Sequence, residues 1–348
     1  MTPSNRHNID LIALTEALLA SLDTRSRDVV SRRYGITSGS NETLESIGQE
    51  YGITRERVRQ IEAQARRALR DREEQLKPVA DIFADIFTTH GGILAPDHAV
   101  QIVNELLGYT YPATVTTFYL DVLPPYQYIS RDQHFAPHWR QPDLVPPHAT
   151  TTVETAEAVL RAQTHPVSEE HLLAAVMTAL HEAGHPTSPA HIRAQLLASK
   201  RIATTAFGEW GLTEWAETNP RGVGDKAYAV MRRHGNPEHF TKITELINVA
   251  DFDHKKANPQ TVHNELIKDG RFVLVGRGLY GLAEWGYIPG TVADVIESLL
   301  AKAGKPLTRE EVIERVMEQR QVKKNTILLG LQNHNRFAKT ASDRYTLR

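Results

Sequence analysis

The 348-residue chain contains no cysteine, which excludes disulfide staples and thiolate zinc sites and leaves any metal to His, Asp or Glu. It has no apolar stretch approaching the roughly 18 residues of a membrane span, and no basic-then-apolar targeting pattern at its start. A cytoplasmic protein without a membrane partner is therefore expected. An excess of either charge is missing too: 40 Lys and Arg against 42 Asp and Glu give a formal net charge of −2, so any polyanion must be held by a local patch. There is no phosphate-cradling Gly-rich loop, no paired-carboxylate motif and no nucleophile elbow, and a non-enzyme without cofactor or bound metal is expected. What is present is an ordinary globular composition, 41% hydrophobic and 24% charged, on a chain long enough for several domains.

The most informative segment is Thr54-Arg55-Glu56-Arg57-Val58-Arg59-Gln60-Ile61-Glu62. Thr54 is a good N-cap, and Tyr51-Gly52-Ile53 supplies the Gly-containing turn that separates two helices of a helix-turn-helix. From Thr54 to about Arg72 no Pro or Gly interrupts the chain, which predicts a long helix. Val58, Ile61, Ala65, Ala68 and Leu69 fall on one stripe of that helix, and Arg55, Glu56, Arg59, Gln60, Arg66, Arg67 and Arg70 on the opposite one. The outer residues suit a major groove: Arg donates two bonds to guanine, Gln pairs with adenine and Glu accepts from cytosine. Seven Arg against three acids over residues 54–72 also favour phosphate. The alternative is a solvated amphipathic helix whose charges recognise nothing, but cap, turn, scaffold helix and groove-compatible face coincide here. Arg57 sits at the edge of the packing stripe, where a phosphate contact or an intramolecular role is expected.

Upstream, residues 22–35 read as a capped helix closed by Gly35, and Thr43-Leu44-Glu45-Ser46-Ile47-Gly48 opens a second one whose Leu44 and Ile47 face the reading helix. With "RDVVSRRYGI", "TLESIGQEYGITRERVRQIE" and "ARRALR" in place, residues 22–72 resemble region 4 of the sigma-70 family of bacterial RNA polymerase initiation factors. The resemblance implies binding to double-stranded DNA at a −35-like promoter element through Arg55, Glu56, Arg57, Arg59 and Gln60. It also implies backbone contacts from Thr43 and Leu44, and a grip on the beta-subunit flap of RNA polymerase. Arg66 and Arg67 join the DNA-facing set on the helical reading. The short segment before this region is enough for one amphipathic helix (Leu11, Leu14, Leu18, Leu19) and lacks the aromatic-rich melting and core-clamp regions of a full sigma factor. A chain that does not open a promoter alone is expected.

Beyond residue 77 the chain repeats itself. Thr261-Val262, Leu266-Ile267, Arg271-Phe272 and Tyr280-Gly281-Leu282 with Glu284-Trp285 align without gaps on His191-Ile192, Leu196-Leu197, Arg201-Ile202 and Trp210-Gly211-Leu212 with Glu214-Trp215. The same frame lands on Thr326-Ile327, Leu331, Arg336-Phe337 and Tyr345-Thr346-Leu347, and more weakly on Thr114-Val115, Tyr119-Leu120, Tyr126, Tyr128 and Trp139. Each copy reads as three helices and an alternating apolar hairpin, the grammar of a winged helix. The expected fold is mainly α with small β-hairpin wings: a helix-turn-helix domain over 1–76, then winged helices over 77–145, 150–218, 222–288 and 289–348. Pro142 and the pair Pro146-Pro147 suggest a stiff linker between the first two. The third copy, and less clearly the second and fourth, resemble the HARE-HTH family, whose members include a polymerase delta subunit and modules attached to DNA-modification and restriction proteins.

Lys323, Lys324, Arg336, Lys339 and Arg344 in the fourth copy, and Lys255, Lys256, Lys268, Arg271 and Arg277 in the third, could track phosphates. Equally, Arg271 and its counterparts Arg201 and Arg336 could be fold residues at the hairpin entry. Trp210, Tyr280 and Tyr345 alternate with Leu and read as core. His181-Glu182-Ala183-Gly184-His185 satisfies a zinc-hydrolase pattern, but Gly184 and Pro186 should end the helix inside it and keep His185 from lying one turn above His181. The sequence thus supports a sigma-like DNA-binding transcription regulator. It leaves open a DNA-modification-sensing or defence-associated binding module, and a winged-helix protein scaffold.

Overall fold

The computed structural model describes residues 9–146, 148–340 and 342–348; Pro147, one of the linker prolines, lies outside the described residues. The chain divides into two units, Met1–Ala203 and Thr204–Arg348.

The first unit opens with α1 (Leu11–Ala20), whose amides at Ile12 and Ala13 donate to Asp10. Asp23 caps α2 (Thr24–Tyr34) in the same way, and Gly35 closes it at φ 66°. The helix-turn-helix comes next as α3 (Leu44–Tyr51) and α4 (Arg55–Arg70), capped by Thr43 and Thr54. The turn between them needs two glycines. Gly52 adopts φ 63°, which a Cβ disfavours, and a Cβ on Gly48 would stand 2.8 Å from the Ile53 carbonyl. Val29, Ile47, Val58 and Ile61 form the buried centre, flanked by Leu44, Tyr51 and Ile53. Full burial of each large apolar side chain contributes roughly 1.5–3 kcal/mol, enough to fix how α4 is presented.

The first winged helix comprises α5 (Glu73–His90), β1 (Ile93–Leu94), α6 (Pro96–Leu107), α7 (Ala113–Val122), β2 (Gln127–Ile129) and β3 (His138–Arg140). Its antiparallel sheet has the order β1-β3-β2. The second contains α8 (Ala149–Gln163), α9 (Glu169–Glu182) and α10 (Pro189–Ala198), then β4 (Ile202–Thr204), which straddles the boundary between the units, and β5 (Trp210–Leu212). In the second unit, α11 (Val223–His234), β6 (Glu238–His239), α12 (Phe240–Ala250), α13 (Pro259–Lys268), β7 (Phe272–Gly276) and β8 (Leu279–Leu282) make the third winged helix, with sheet order β6-β8-β7. The fourth is α14 (Val292–Ala303), α15 (Arg309–Gln319), α16 (Lys324–Leu331) and the hairpin β9 (Phe337–Lys339) with β10 (Tyr345–Leu347).

The sequence repeat corresponds to the third helix and hairpin of each winged helix. Val115 and Tyr119, Ile192 and Leu196, Val262 and Leu266, and Ile327 and Leu331 are all buried, one turn apart on α7, α10, α13 and α16. At three of the hairpin entries an arginine reaches back to the first helix of its own winged helix: Arg201 to Glu157 at 2.8 Å, Arg271 to Asp225 at 2.8 Å, and Arg336 to Asp294 at 2.7 Å. These three are fold residues. Trp210 and Tyr280 are core, and Tyr345 is half-buried.

Two expectations of separateness fail. The helix-turn-helix and the first winged helix share one hydrophobic core, in which Leu11, Leu18, Val30, Tyr34 and Leu69 meet Phe83, Phe118, Tyr119 and Trp139. Residue 76 therefore does not bound an independently packed domain, because α7 lies against α1, α2 and α4. Nor does a stiff linker hold the first two winged helices apart. The Gln141 amide donates to Gly92 O at 2.9 Å, and α10 packs on α5 and β1, burying Ala194 in the shared core. The zinc-like motif resolves as the spacing suggested: α9 ends at Glu182 and Gly184 adopts φ 77°, so His185 lies beyond the helix that carries His181.

Candidate nucleic-acid interface

The first two turns of α4 project the sequence-predicted reading face. Arg55, Glu56, Arg57, Arg59 and Gln60 are all exposed around buried Val58. Four of them are coupled in pairs one turn apart. Arg59 grips both carboxylate oxygens of Glu56, at 2.8 Å from Nε and 2.7 Å from Nη2, and Arg57 donates from Nη1 to Gln60 Oε1 at 3.1 Å. The hydrogen bond from Arg59 holds the Glu56 carboxyl below the usual carboxylate range. Arg57, expected at the edge of the packing stripe, is outside it, and its bond to Gln60 is the intramolecular role. Because the Glu56–Arg59 pair is solvent-exposed, it is weaker than one bidentate base contact, which is worth roughly 1–3 kcal/mol. The pairs orient the face without locking it.

Beside this face, Arg33, Thr43, Leu44, Glu45 and Arg55 line a shallow hollow at the start of α3. Thr43 spends its hydroxyl on the Ser46 amide, while the Leu44 side chain packs on the small core, leaving its backbone at the helix start for an anion. Arg33 escaped sequence reasoning, because its charge on α2 carried no spacing signal. The structure places it here, with Nη1 donating to Glu42 O at 3.1 Å.

The second half of α4 departs from expectation. Arg66 is half-buried, donates to Asp121 at 2.8 Å, and stands 3.9 Å from buried Glu62. Arg70 donates to the backbone carbonyls of Val122 at 2.7 Å and Asp121 at 3.0 Å. Both side chains are spent on the C-terminal end of α7, so Arg66 does not belong to the outward face. Asp121 also accepts the Tyr34 hydroxyl, whose phenol burial pushes well above its ordinary range, with the Asp121 charge adding to the effect. Arg67 remains exposed, and so does Ala68, which the helical stripe had placed inside.

In the second unit Lys255, Lys256 and Arg277 are exposed, but Lys256 is tied to Asn248 O at 3.1 Å. Lys268 pairs with Glu265 and Lys339 with Asp343. Arg336 divides its guanidinium between Asp294 and Glu297, which removes it from the phosphate candidates. Lys323 and Lys324 are exposed at the start of α16 with no ion-pair partner among the described residues.

Comparison with known proteins agrees with this geometry. Residues 18–71 match the family model for Sigma-70, region 4, and residues 223–285 match the HARE-HTH family model, an HTH domain of ASXL and restriction endonuclease type. The chain is 54% identical over 55 residues to the RNA polymerase sigma factor SigA1 of Synechococcus elongatus, covering 16% of this chain and 14% of that protein. With the sigma factor SigA of a Nostoc species it is 56% identical over 55 residues, with the same coverage. With SigA of Listeria monocytogenes it is 47% identical over 64 residues, 18% of this chain and 17% of that protein. The chain thus spans only 14% to 17% of the length of these curated relatives. Within one polypeptide it joins a sigma-70 region 4 domain at residues 18–71 to winged helices of which residues 223–285 are a HARE-HTH domain.

Proposed function

We propose that this chain is a cytoplasmic, sequence-specific DNA-binding regulator of transcription initiation that acts by binding rather than by catalysis, with α4 entering the major groove of a −35-like element. The observation that carries the reading is the coincidence of the region 4 match with an open Arg55–Gln60 face held on a buried Val58 and Ile61 core. Arg55, Glu56, Arg59 and Gln60 supply base-edge contacts, and Arg57 and Arg67 supply phosphate contacts. Thr43 and Leu44 contact the backbone through the start of α3, and Arg33 joins them. The names of the matched relatives support RNA polymerase as a partner, and the beta flap is the surface proposed to receive region 4.

Enrichment of a random duplex library by the full chain tests the DNA reading. A defined element should emerge with the wild type, and Arg55→Ala should weaken binding to it by about 1–3 kcal/mol while barely changing unrelated duplex. Equal loss on every duplex contradicts base reading. Co-purification with core polymerase tests the partner. The HARE-HTH match favours a second reading, sensing of modified DNA, which predicts tighter binding to methylated than to plain duplex of one sequence.

A further inference from the structure

We infer that the four winged helices have divided their labour: the first two spend their third helices on holding the chain together, and the fourth provides a sequence-independent contact to the backbone of duplex DNA. This site is separate from the α4 reading face and does not depend on it.

In the first winged helix α7 is covered along most of its length. Val115, Thr116, Phe118, Tyr119, Leu120 and Val122 are buried, and the Tyr119 hydroxyl donates to Leu11 O at 3.2 Å. In the second, α10 is pressed onto α5 and β1. Arg193 donates to His98 at 2.8 Å, the His191 ring lies where a Cβ on Gly91 would stand, and the Ala136 amide donates to Ala198 O at 2.8 Å. Neither helix presents a surface that a groove could receive.

The third helices of the last two winged helices are open. On α13, Gln260, Thr261 and Ile267 face solvent, and on α16 Lys324, Asn325, Thr326 and Leu329 do. Charge separates the two. Over the equivalent segments of the four repeats, residues 108–136, 185–213, 255–283 and 320–348, the formal net charge climbs from −1 through +2 and +3 to +6. The last segment holds seven Lys and Arg against a single acid, Asp343. Such a surface complements a polyanion.

The fourth winged helix also presents its lysines from a fixed base. Arg320, only 4% exposed, donates to the carbonyls of Leu274, Ile288 and Gly290, and the Gln321 amide donates to Val275 O at 2.7 Å. The chain is thus pinned to β7 immediately before Lys323. Lys323 is the N-cap of α16 and offers no side-chain cap, whereas Ser188 and Asn258 cap α10 and α13. First-turn amides, the helix dipole and two ammonium groups without an ion-pair partner among the described residues therefore converge where a phosphate can sit.

The test uses the full chain and a duplex lacking any preferred element, with binding measured against salt concentration. Lys323→Ala with Lys324→Ala should lower the slope of log affinity on log salt by nearly two units, at about 0.9 per phosphate contact. Lys323→Arg with Lys324→Arg should keep the slope, and the thermal midpoint and the base preference given by α4 should stay put. An unchanged slope overturns the inference while leaving the α4 reading intact. A lowered slope in a protein with no base preference upholds it and removes the α4 reading instead. Failure of the wild-type chain to bind duplex at low salt overturns it. So does an unchanged slope accompanied by loss of binding to polyglutamate, which would assign the surface to an acidic protein.

Discussion

Truncating Phe118 to Ala probes how far the region 4 fold depends on the first winged helix. Phe118 belongs to α7, yet its ring is fully buried and meets Tyr34 of α2 edge-on, with centroids 5.4 Å apart and planes at 84°. Tyr119 also contacts it, at 5.2 Å between centroids. Removing a buried Phe side chain costs about 3–5 kcal/mol, a large part of the roughly 5–15 kcal/mol that holds a typical domain. Since one tenfold change in an equilibrium corresponds to about 1.4 kcal/mol, amides that exchange only through opening of the shared core should lose protection by about two to four orders of magnitude. Hydrogen exchange read by mass spectrometry locates the loss. Peptides from α2 and from the second half of α4 should exchange faster together with those of α5 and α7, and Phe118→Leu should restore most of the protection. If the change stays within residues 73–140 and α2 and α4 keep wild-type protection, the two modules fold separately and the shared core is decorative.

Further perturbations address other parts of the molecule. Arg271→Ala breaks its ion pairs with Asp225 and Asp269 and, at a group about one-third exposed, should cost on the order of 1 kcal/mol of stability. Thermal melting should show that cost with an unchanged salt slope for DNA, and a slope lowered by about one would make Arg271 a phosphate contact after all. Burial, with the Arg193 charge adding to it, pulls His98 from 6.5 down to about 4. The unfolded chain then binds the extra proton between those values, so stability should fall as pH drops through 6.5 and level off near 4, by about 1–3 kcal/mol. Chemical denaturation across that range should show a flatter dependence for His98→Gln, and an identical dependence would remove His98 from the explanation. Gly48→Ala puts a methyl against the Ile53 carbonyl and should cost about 1–3 kcal/mol while displacing α4, read as loss of base preference beyond what the melting shift explains.

Much of this was legible in the sequence because local chemistry wrote it. Asp10, Asp23, Thr43 and Thr54 cap the helices they precede, Gly35 closes α2 in the left-handed conformation, and the repeat frame picks out residues that prove to be buried partners on successive third helices. What was hidden is tertiary. Arg66 and Arg70 look like continuations of the Arg55–Gln60 face because helical periodicity knows nothing of Asp121, which lies 55 residues beyond Arg66 in the chain. One sign of that docking was present in Ala113-Thr114-Val115-Thr116-Thr117-Phe118-Tyr119-Leu120-Asp121-Val122, a helix with almost no charged side. Such a helix is covered on most of its faces. The separation of fold arginines from free lysines was likewise beyond sequence, since Arg336 and Lys324 differ only in whether an acid such as Asp294 waits within reach.

The central claim is that the exposed Arg55–Gln60 turn of α4 reads base edges. Its most direct measurement is a competition series in which every base pair of the enriched element is changed singly and assayed with the wild type and with Gln60→Ala. The account predicts that the wild type loses about 1–3 kcal/mol at each contacted pair, and that the variant becomes indifferent at one of them while keeping the rest of the profile. A variant profile that is uniformly weaker, with the same preferences at every position, would contradict it.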